Sequence, residues 1–259
     1  MKRITLLLVA AFLITGFSVY SQNVTPGAVV SIHKVVPATE DITNDQFETF
    51  YEKFLSAFMR EAPTIPICLM KKISGNRMGE YAEFFVYESL DARNEWFPEP
   101  GVSTEKTKEL LKNLGEVWDE YRIKVSEVDY TNYVALPFSG KSILVKPGNV
   151  VFIFECEITL EEGMTTEEFE KFYVEEYGPA FTKHFQDTQF CALKGERGER
   201  TGKYTELTVL KSMAEYNKWI TADGMLSEQA RQAFKNMGKI QERMEKMYMW
   251  SRSNTYIVL

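Results

Sequence analysis

The sequence is poor in the residues from which metal and redox sites are usually built. It contains only two histidines, His33 and His184, and three cysteines among 259 residues. The histidines lie far apart and neither has a second ligand one helical turn away, so the sequence predicts no histidine-rich metal site. Three thiols cannot all pair, which leaves at least one cysteine free even in an oxidising compartment. Because Cys68, Cys156 and Cys191 each lie in an apolar, strand-like run, we expect buried free thiols, with one disulfide as the alternative.

Long apolar runs are absent beyond the first 21 residues, so the sequence predicts no further membrane-spanning segment. Lys2 and Arg3 precede an apolar run over residues 4–17 that is too short to cross a bilayer, and Ser21 is followed by Gln22. This pattern is typical of a cleaved signal peptide over residues 1–21, with the mature protein periplasmic or secreted. An uncleaved membrane anchor is the alternative. After cleavage we expect no association with a membrane.

The chain also lacks an excess of positive charge and any familiar catalytic signature. Its formal net charge is −7, which argues against nucleic acid as a partner, because nucleic acid attracts basic patches. Neither the GxSxG motif of hydrolases nor the phosphate-binding GxxxxGK[ST] motif occurs. The sequence therefore predicts no cofactor and no metal, and leaves open whether the protein is an enzyme. Aromatic residues make up 14% of the chain, enough for a packed core or a ring-lined cavity.

What the sequence does contain is an internal repeat. Residues 68–136 align with residues 191–259 without a gap, and about a quarter of the aligned positions are identical, roughly four times what average composition gives. The identities include the pairs Cys68/Cys191, Arg77/Arg200, Gly79/Gly202, Tyr81/Tyr204, Glu83/Glu206, Ser89/Ser212, Asn94/Asn217, Trp96/Trp219, Gly115/Gly238 and Tyr133/Tyr256.

The repeat extends upstream and sets the predicted domain boundaries. The sequence GAVVSI at residues 27–32 corresponds to GNVVFI at residues 148–153. We therefore predict a first repeat over residues 22–137, a linker rich in turn formers over residues 138–147, and a second repeat over residues 148–259. Each copy predicts the order strand, helix, strand, strand, helix, strand.

Within each copy, the first helix is indicated by its capping residues and by apolar residues that recur at helical spacing. It begins near Thr43 in the first copy and at Thr165 in the second, where Glu168 completes a capping box. Aromatic residues at helical spacing form the buried stripe of the first copy, which consists of Phe47, Phe50, Tyr51, Phe54 and Phe58. In the second copy, Gly178 and Pro179 predict a break or kink in this helix.

Each copy also predicts a long second helix, over residues 104–125 and 227–247, followed by a short closing strand over residues 133–136 and 256–259. Gly115 and Gly238 interrupt these helices at equivalent places, and we interpret them as making room for a neighbouring strand or a ligand. The acidic run over residues 155–176 is interpreted as a solvated helix face.

A βαββαβ order predicts a four-stranded antiparallel sheet with its helices on one face, the ferredoxin-like arrangement. The other face is also apolar, and two copies in one chain bury it by packing sheet to sheet. The predicted fold class is thus α+β, with two tandem ferredoxin-like units forming an intrachain barrel. Topology, duplication and aromatic helix patterning resemble the dimeric α/β-barrel superfamily. That superfamily includes EthD-like and NIPSNAP-like proteins, antibiotic-type cofactor-independent monooxygenases, chlorite dismutases and dye-decolourising peroxidases.

The resemblance implies a pocket between the sheet and the helices of each unit. The predicted ligand-binding residues are Tyr81, Glu83, Trp96, Tyr177, His184, Tyr204 and Trp219, and the candidate catalytic residues are His184, Tyr204 and Glu206. In each copy the tyrosine and the glutamate two residues later share one face of a strand. These glutamates are either general bases with a raised pKa or surface partners of Arg77 and Arg200, and we favour the second interpretation.

Several of these residues also have plainer interpretations. His184 is more simply a solvated or capping residue, and His33 a hydrogen-bonded interior histidine. Trp96 and Trp219 either close a pocket or plug an end of the barrel. Haem binding through a single histidine is a further alternative.

The sequence thus favours an exported protein that binds a small apolar or aromatic molecule between sheet and helices. One alternative is an enzyme resembling the cofactor-independent monooxygenases, and another is a structural or interaction module. A small-molecule ligand is the only expected partner. Because each chain closes its own barrel, we expect a monomer or a weak homo-oligomer.

Overall fold

The computed structural model describes residues 21–74, 80–99, 101–138 and 142–259. Apart from Ser21, the predicted signal peptide lies outside the described residues, and so do Arg77 and Gly79 of the first repeat. Within the described part of the chain, no helix has the length and apolarity required to cross a membrane.

The two halves of the chain fold in the same order. The first half contains β1 (Gln22–Val24), β2 (Val29–Pro37), α1 (Asn44–Glu61), β3 (Ile67–Ser74), β4 (Tyr81–Tyr87), α2 (Leu90–Asn94), α3 (Glu105–Leu114), α4 (Glu116–Lys124) and β5 (Val125–Ala135). The second half contains β6 (Ile143–Val145), β7 (Val150–Ile158), α5 (Thr166–Phe172), a π-helical turn (Tyr173–Tyr177), α6 (Gly178–His184), β8 (Thr188–Gly198), β9 (Tyr204–Leu210), α7 (Met213–Trp219), α8 (Glu228–Met237), α9 (Lys239–Met247) and β10 (Tyr248–Val258).

Eight strands form one closed barrel, in the order β10-β3-β4-β2-β5-β8-β9-β7. Each half contributes four adjacent antiparallel strands, so two seams join the halves. At one seam β5 pairs with β8, and at the other β3 pairs with β10. The predicted fold class, in which two ferredoxin-like units form an intrachain barrel, is confirmed.

The barrel interior is apolar over most of its length. Its cluster of buried side chains includes Val30, Ile32, Cys68, Met70, Phe84, Val86, Val151, Ile153, Cys191, Leu193, Leu207 and Val209. Strands β1 and β6 pair with each other and add Val24 and Val145 to this cluster, so they cover one end of the barrel. Strand β6 lies within the predicted linker.

The interpretation of Trp96 and Trp219 as barrel plugs is wrong, because both pack with the helices outside the barrel.

The cysteines agree with the expectation from composition. Cys68, Cys156 and Cys191 are all buried, and all are free thiols. Burial raises the pKa of each thiol above its ordinary value, so none has the thiolate character of a reactive cysteine.

The opposite end of the barrel interior carries buried charges. Lys34 of β2 lies 3.0 Å from Asp129 of β5 and 3.3 Å from Glu155 of β7, and Arg200 lies 3.7 Å from Glu155. Burial opposes the charge on Lys34, but the two carboxylates outweigh it and raise the pKa of the ammonium. The assignment of Glu155 to a solvated helix face is wrong, since this residue is on a strand and nearly buried.

Each long helix predicted in the second part of a repeat is divided by a glycine. Gly115 ends α3 with a φ of 51°, and Gly238 ends α8 with a φ of 56°, values that favour glycine. A Cβ at Gly238 would meet no atom within 4 Å, so the interpretation that these glycines make room is wrong. Close approach does explain Gly198, where a Cβ would lie 2.2 Å from the carbonyl oxygen of Tyr130 across the β5–β8 seam.

The kink predicted at Gly178 and Pro179 is instead a π-helical turn. The Gly178 amide donates to the Tyr173 carbonyl oxygen, and α6 continues through Pro179, which has no N–H to donate. A π turn adds one residue to a helix, and the second repeat does contain an insertion here.

Both predicted helix starts are confirmed, because Thr43 and Thr165 each form a capping box.

Candidate functional site

Each half holds a cavity between the outer face of the barrel and the helices that cover it. The first cavity, of about 650 Å³, is formed by β2, β4 and β5 together with α1, α3 and α4. The second, of about 490 Å³, is formed by β7, β9 and β10 together with α6, α7 and α8. Both volumes lie in the range of small-molecule sites. Both halves therefore have a cavity between sheet and helices, where the superfamily resemblance implies a pocket.

Each cavity has one of the two repeated glutamates in its wall. Glu83 and Glu206 are each 2% exposed, so the interpretation of these residues as surface partners of arginine is wrong. Glu83 Oε1 accepts hydrogen bonds from Tyr51 at 2.7 Å and from Tyr121 at 2.8 Å. Glu206 Oε1 accepts one from Tyr173 at 2.5 Å. Phenols, which carry no charge, thus take the place that the sequence suggested for arginines.

Arg200, the proposed surface partner of Glu206, makes other contacts. Its guanidinium donates to the carbonyl oxygens of Cys156, at 2.8 Å, and Tyr204, at 2.9 Å. It also approaches Glu155 in the barrel interior. Glu206 therefore lies in its cavity wall without the arginine that would hold it ionised.

Burial makes both glutamates weaker acids than usual. It raises the pKa of Glu206 to about 7, against the opposing hydrogen bonds from Tyr173 and Tyr248. Burial also raises the pKa of Glu83, although the nearby His33 and the two phenols oppose the shift. The Glu206 carboxyl can therefore hold or release a proton near neutral pH, a property common at functional sites.

We predict that Glu206→Gln removes part of the pH dependence of stability. The folded protein keeps this proton up to a pKa of about 7, whereas an unfolded glutamate loses it near 4.5. Wild-type stability therefore falls as pH rises through this window, by on the order of 3 kcal/mol from this group. Glutamine has no proton to lose, so the free energy of unfolding of the variant relative to wild type should rise by that amount across the window. Urea unfolding at several pH values measures it.

Glu176→Gln is the matched control, because Glu176 is an exposed residue of the neighbouring π turn. We expect this variant to follow the wild-type pH profile. A difference between Glu206→Gln and wild type that stays constant with pH contradicts the prediction.

The second cavity is lined mainly by aromatic rings. Its wall includes Phe152, Phe154, Tyr177, Phe181, Phe185, Tyr216, Trp219 and Phe234. Two polar atoms of this wall, Trp219 Nε1 and Thr208 Oγ1, are buried and have no hydrogen-bond partner among the described residues. Buried donors are normally paired, because an unpaired one costs about 1–3 kcal/mol. The wall therefore combines an apolar surface with two polar atoms that lack partners.

The first cavity contains a chain of hydrogen-bonding side chains. Ser31 Oγ lies 2.8 Å from His33 Nε2, and His33 Nδ1 lies 2.5 Å from Glu127 Oε2. Ser31 also donates to Asn132 Oδ1 at 2.5 Å. All four residues line the cavity. His33 is hydrogen-bonded, as expected, but it lies at a cavity and not in a closed interior, so the sequence interpretation missed its place in the site.

Two arginines lie at the side of the first cavity nearest the second half of the chain. Arg93 is 1% exposed and donates to Glu196 at 2.6 Å, while its Nε has no partner among the described residues. Arg197 donates to the carbonyl oxygens of Phe97 and Pro98. These contacts tie the loop after α2 to β8 across the seam.

The predicted site residues divide between the cavities and other places. Glu206, Tyr177 and Trp219 come together in the second cavity, and Glu83 lies in the first. Four predicted residues lie outside the described walls of both cavities, and these are Tyr81, Trp96, His184 and Tyr204. Tyr81 donates to Glu48 and Tyr204 to Glu170, each at 2.7 Å. His184 is partly buried at the end of α6.

Comparisons with known proteins bear on the fold. The sequence matches no known protein-family model and no curated protein. A putative chlorite dismutase has a TM-score of 0.55 at 6% identity, with 90% of this chain and 95% of that chain covered. A putative monooxygenase from Fusobacterium nucleatum has a TM-score of 0.53 at 10% identity, with coverages of 90% and 93%. A haem-binding protein from Thermus thermophilus has a TM-score of 0.52 at 8% identity, with 93% of each chain covered.

At these identities the similarities concern the fold alone. Together with the closed eight-stranded barrel, they show that the chain has the dimeric α/β-barrel fold.

Proposed function

We propose that the protein binds a small, neutral, aromatic molecule that carries an oxygen acceptor, and that it binds this molecule in the second cavity. The observation that carries the proposal is the pair of unpartnered polar atoms, Trp219 Nε1 and Thr208 Oγ1, in an otherwise aromatic wall. Both atoms are shielded in the conformation described, and a rotation of either side chain toward the cavity lets a ligand oxygen accept from it and removes the free-energy cost of the unpaired group. The rings supply the apolar contact area.

The neighbouring carboxyl favours a neutral ligand. Glu206 lies in the same wall, and burial raises its pKa to about 7. An anionic ligand would face repulsion whenever Glu206 is ionised. A neutral ketone or quinone can accept a hydrogen bond from this carboxyl when it is protonated, and a phenol can donate one to it when it is ionised.

Haem, which one structural neighbour binds, does not fit the residues of this chain. Both ring nitrogens of His33 in the first cavity are already hydrogen-bonded, to Ser31 and Glu127. The described wall of the second cavity has no histidine, cysteine or methionine. Burial raises the pKa of Tyr177 well above its ordinary value, so this phenol keeps its proton and is a poor axial ligand.

A matched pair of probes tests the proposal. We expect 1-tetralone, an aromatic ketone, to bind about tenfold more tightly than tetralin, which has the same rings without the oxygen. Trp219→Phe and Thr208→Val should each weaken 1-tetralone binding about threefold, since each removes one of the two donors that together favour the ketone, and leave tetralin nearly unchanged. Isothermal titration calorimetry measures both affinities.

Trp96→Phe is the matched control, because Trp96 is the equivalent residue of the first repeat and lies outside both described cavity walls. It should bind both probes as wild type does. The proposal fails if neither probe binds. Recognition of the oxygen fails if both bind equally and the Trp219→Phe variant behaves like wild type.

The same site supports an enzymatic alternative. A buried carboxyl with a pKa of about 7 is suited to take a proton from a bound ligand, the kind of step on which a cofactor-independent monooxygenase-like reaction would depend. Oxygen uptake in the titration mixtures, lost on Glu206→Gln, distinguishes this alternative from binding alone.

A further inference from the structure

The first cavity contains a second group of side chains with a catalytic arrangement. Ser31 and His33 occupy alternate positions of β2 and both face the cavity. Glu127 lies on β5 just beyond an irregularity in its pairing with β2, and such irregularities redirect side chains. We propose that Ser31, His33 and Glu127 form a nucleophilic triad that hydrolyses esters of small apolar acids. This activity does not depend on ligand binding in the second cavity.

The distances between the three side chains support the triad. Ser31 Oγ is within hydrogen-bond reach of His33 Nε2, at 2.8 Å, and His33 Nδ1 lies 2.5 Å from Glu127. An activated serine requires this connectivity of nucleophile, base and orienting carboxylate. The hydrogen bond from His33 holds the pKa of Glu127 below its usual range. The carboxylate therefore stays charged and can accept a hydrogen bond from an N–H at His33 Nδ1.

Asn132 decides where the serine proton lies. In the arrangement described, Ser31 donates to Asn132 Oδ1 at 2.5 Å. An asparagine amide is both a donor and an acceptor, so a rotation of the amide presents its nitrogen to Ser31. Ser31 then accepts from Asn132 and directs its own proton to His33 Nε2. Asn132 is thus a positioning residue for the nucleophile.

The same cavity offers places for both ends of an acyl group. Arg93 belongs to the cavity wall, and its Nε is buried and has no partner among the described residues. Turned toward the cavity, this unpartnered N–H would bind the negative charge that develops on the carbonyl oxygen. The acyl chain would lie against the apolar part of the wall, which includes Phe54, Phe58, Phe85, Leu110 and Leu114.

The proposed reaction uses water as its only co-reactant. Ser31 Oγ bonds to the acyl carbon while His33 takes the serine proton, and the ester C–O bond then breaks as His33 returns that proton to the leaving alcohol. Water next attacks the acyl-serine, giving a proton to His33. The acid leaves when the bond to Ser31 Oγ breaks and His33 returns the proton to the serine.

A fluorophosphonate probe tests the proposal, since it modifies activated serines. We expect tandem mass spectrometry of the labelled wild-type protein to place the phosphonyl group on Ser31. Hydrolysis of p-nitrophenyl butyrate should fall to the buffer rate in Ser31→Ala and in His33→Gln. Glu127→Gln should lower kcat by about 10²–10⁴-fold with little change in KM, because this carboxylate orients the base and does not touch the substrate.

Ser126→Ala is the matched control, because Ser126 lies outside the described walls of the two cavities. It should keep the wild-type rate. Thermal unfolding of each variant separates a loss of activity from a loss of fold, and labelling of the wild-type protein requires no variant. The proposal is overturned if Ser31 stays unlabelled in the wild-type protein, or if hydrolysis survives Ser31→Ala.

Discussion

Replacing Lys34 with methionine is expected to lower the free energy of unfolding by about 3–5 kcal/mol, the range typical when one partner of a buried ion pair is removed. Lys34 lies 3.0 Å from Asp129 and 3.3 Å from Glu155, and all three side chains are largely shielded from solvent. Without the lysine, two carboxylates share the end of the barrel interior, and Arg200 offsets part of the charge on Glu155. Urea unfolding at neutral pH, followed by circular dichroism, measures the loss.

Lys203→Met provides the matched control for this prediction. Lys203 forms an ion pair with Glu157 at 3.2 Å, but both side chains are about half exposed. Pairs of this kind contribute about 0–1 kcal/mol, so the control should unfold nearly as wild type does. Equal losses in the two variants would show that burial in the barrel adds nothing to the Lys34 contacts.

The fold can be predicted from the sequence because the same pattern of strands and helices occurs in both halves of the chain. Alternation along β7 shows how: Ile153 packs inside the barrel, whereas Phe152 and Phe154 face the helices and line the second cavity. A strand with two apolar faces needs a cover on each, and the repeat supplies the second. The duplication and the alternation of side chains along each strand together therefore specify a closed barrel, even though no single segment does.

The closing strands are the main error in the predicted elements. Only residues 133–136 and 256–259 were expected to form them, yet β5 and β10 each span 11 residues. The polar stretch around Glu127 and Asp129 hides the start of β5, since strands are normally depleted in such residues. The barrel accommodates both, because Asp129 meets Lys34 in the interior and Glu127 meets His33 on the other face.

The candidate site is only partly visible in the sequence. Glu83 and Glu206 stand out because they repeat, but their partners Tyr51 and Tyr173 come from the first helix of each unit and are revealed only by packing. The link between His33 and Glu127 joins residues from the first and last strands of one unit. Triads are defined by geometry and not by sequence order, so spacing along the chain gives no sign of this one.

A chain restricted to residues 27–137 is expected not to remain a folded monomer. In the whole protein, the inward face of this half, which includes Ile32, Met70 and Phe84, packs in one cluster with the inward face of the other half. Strands β3 and β5 would lose their partners β10 and β8. The isolated half would expose a broad apolar face and two unpaired strand edges, both of which promote association. Sedimentation velocity should detect dimers or larger species, or the fragment should be insoluble.

Co-expression with residues 138–259 is the matched test, because it restores both seams and, apart from Val24 of β1, the shared interior, while leaving the linker cut. We expect a soluble complex with one copy of each fragment and the circular dichroism spectrum of the intact protein. A first half that is monomeric alone and unfolds cooperatively would contradict the prediction. It would mean that the four strands and their helices bury both faces of the sheet without the second half of the chain, and that the duplication is not what closes the barrel.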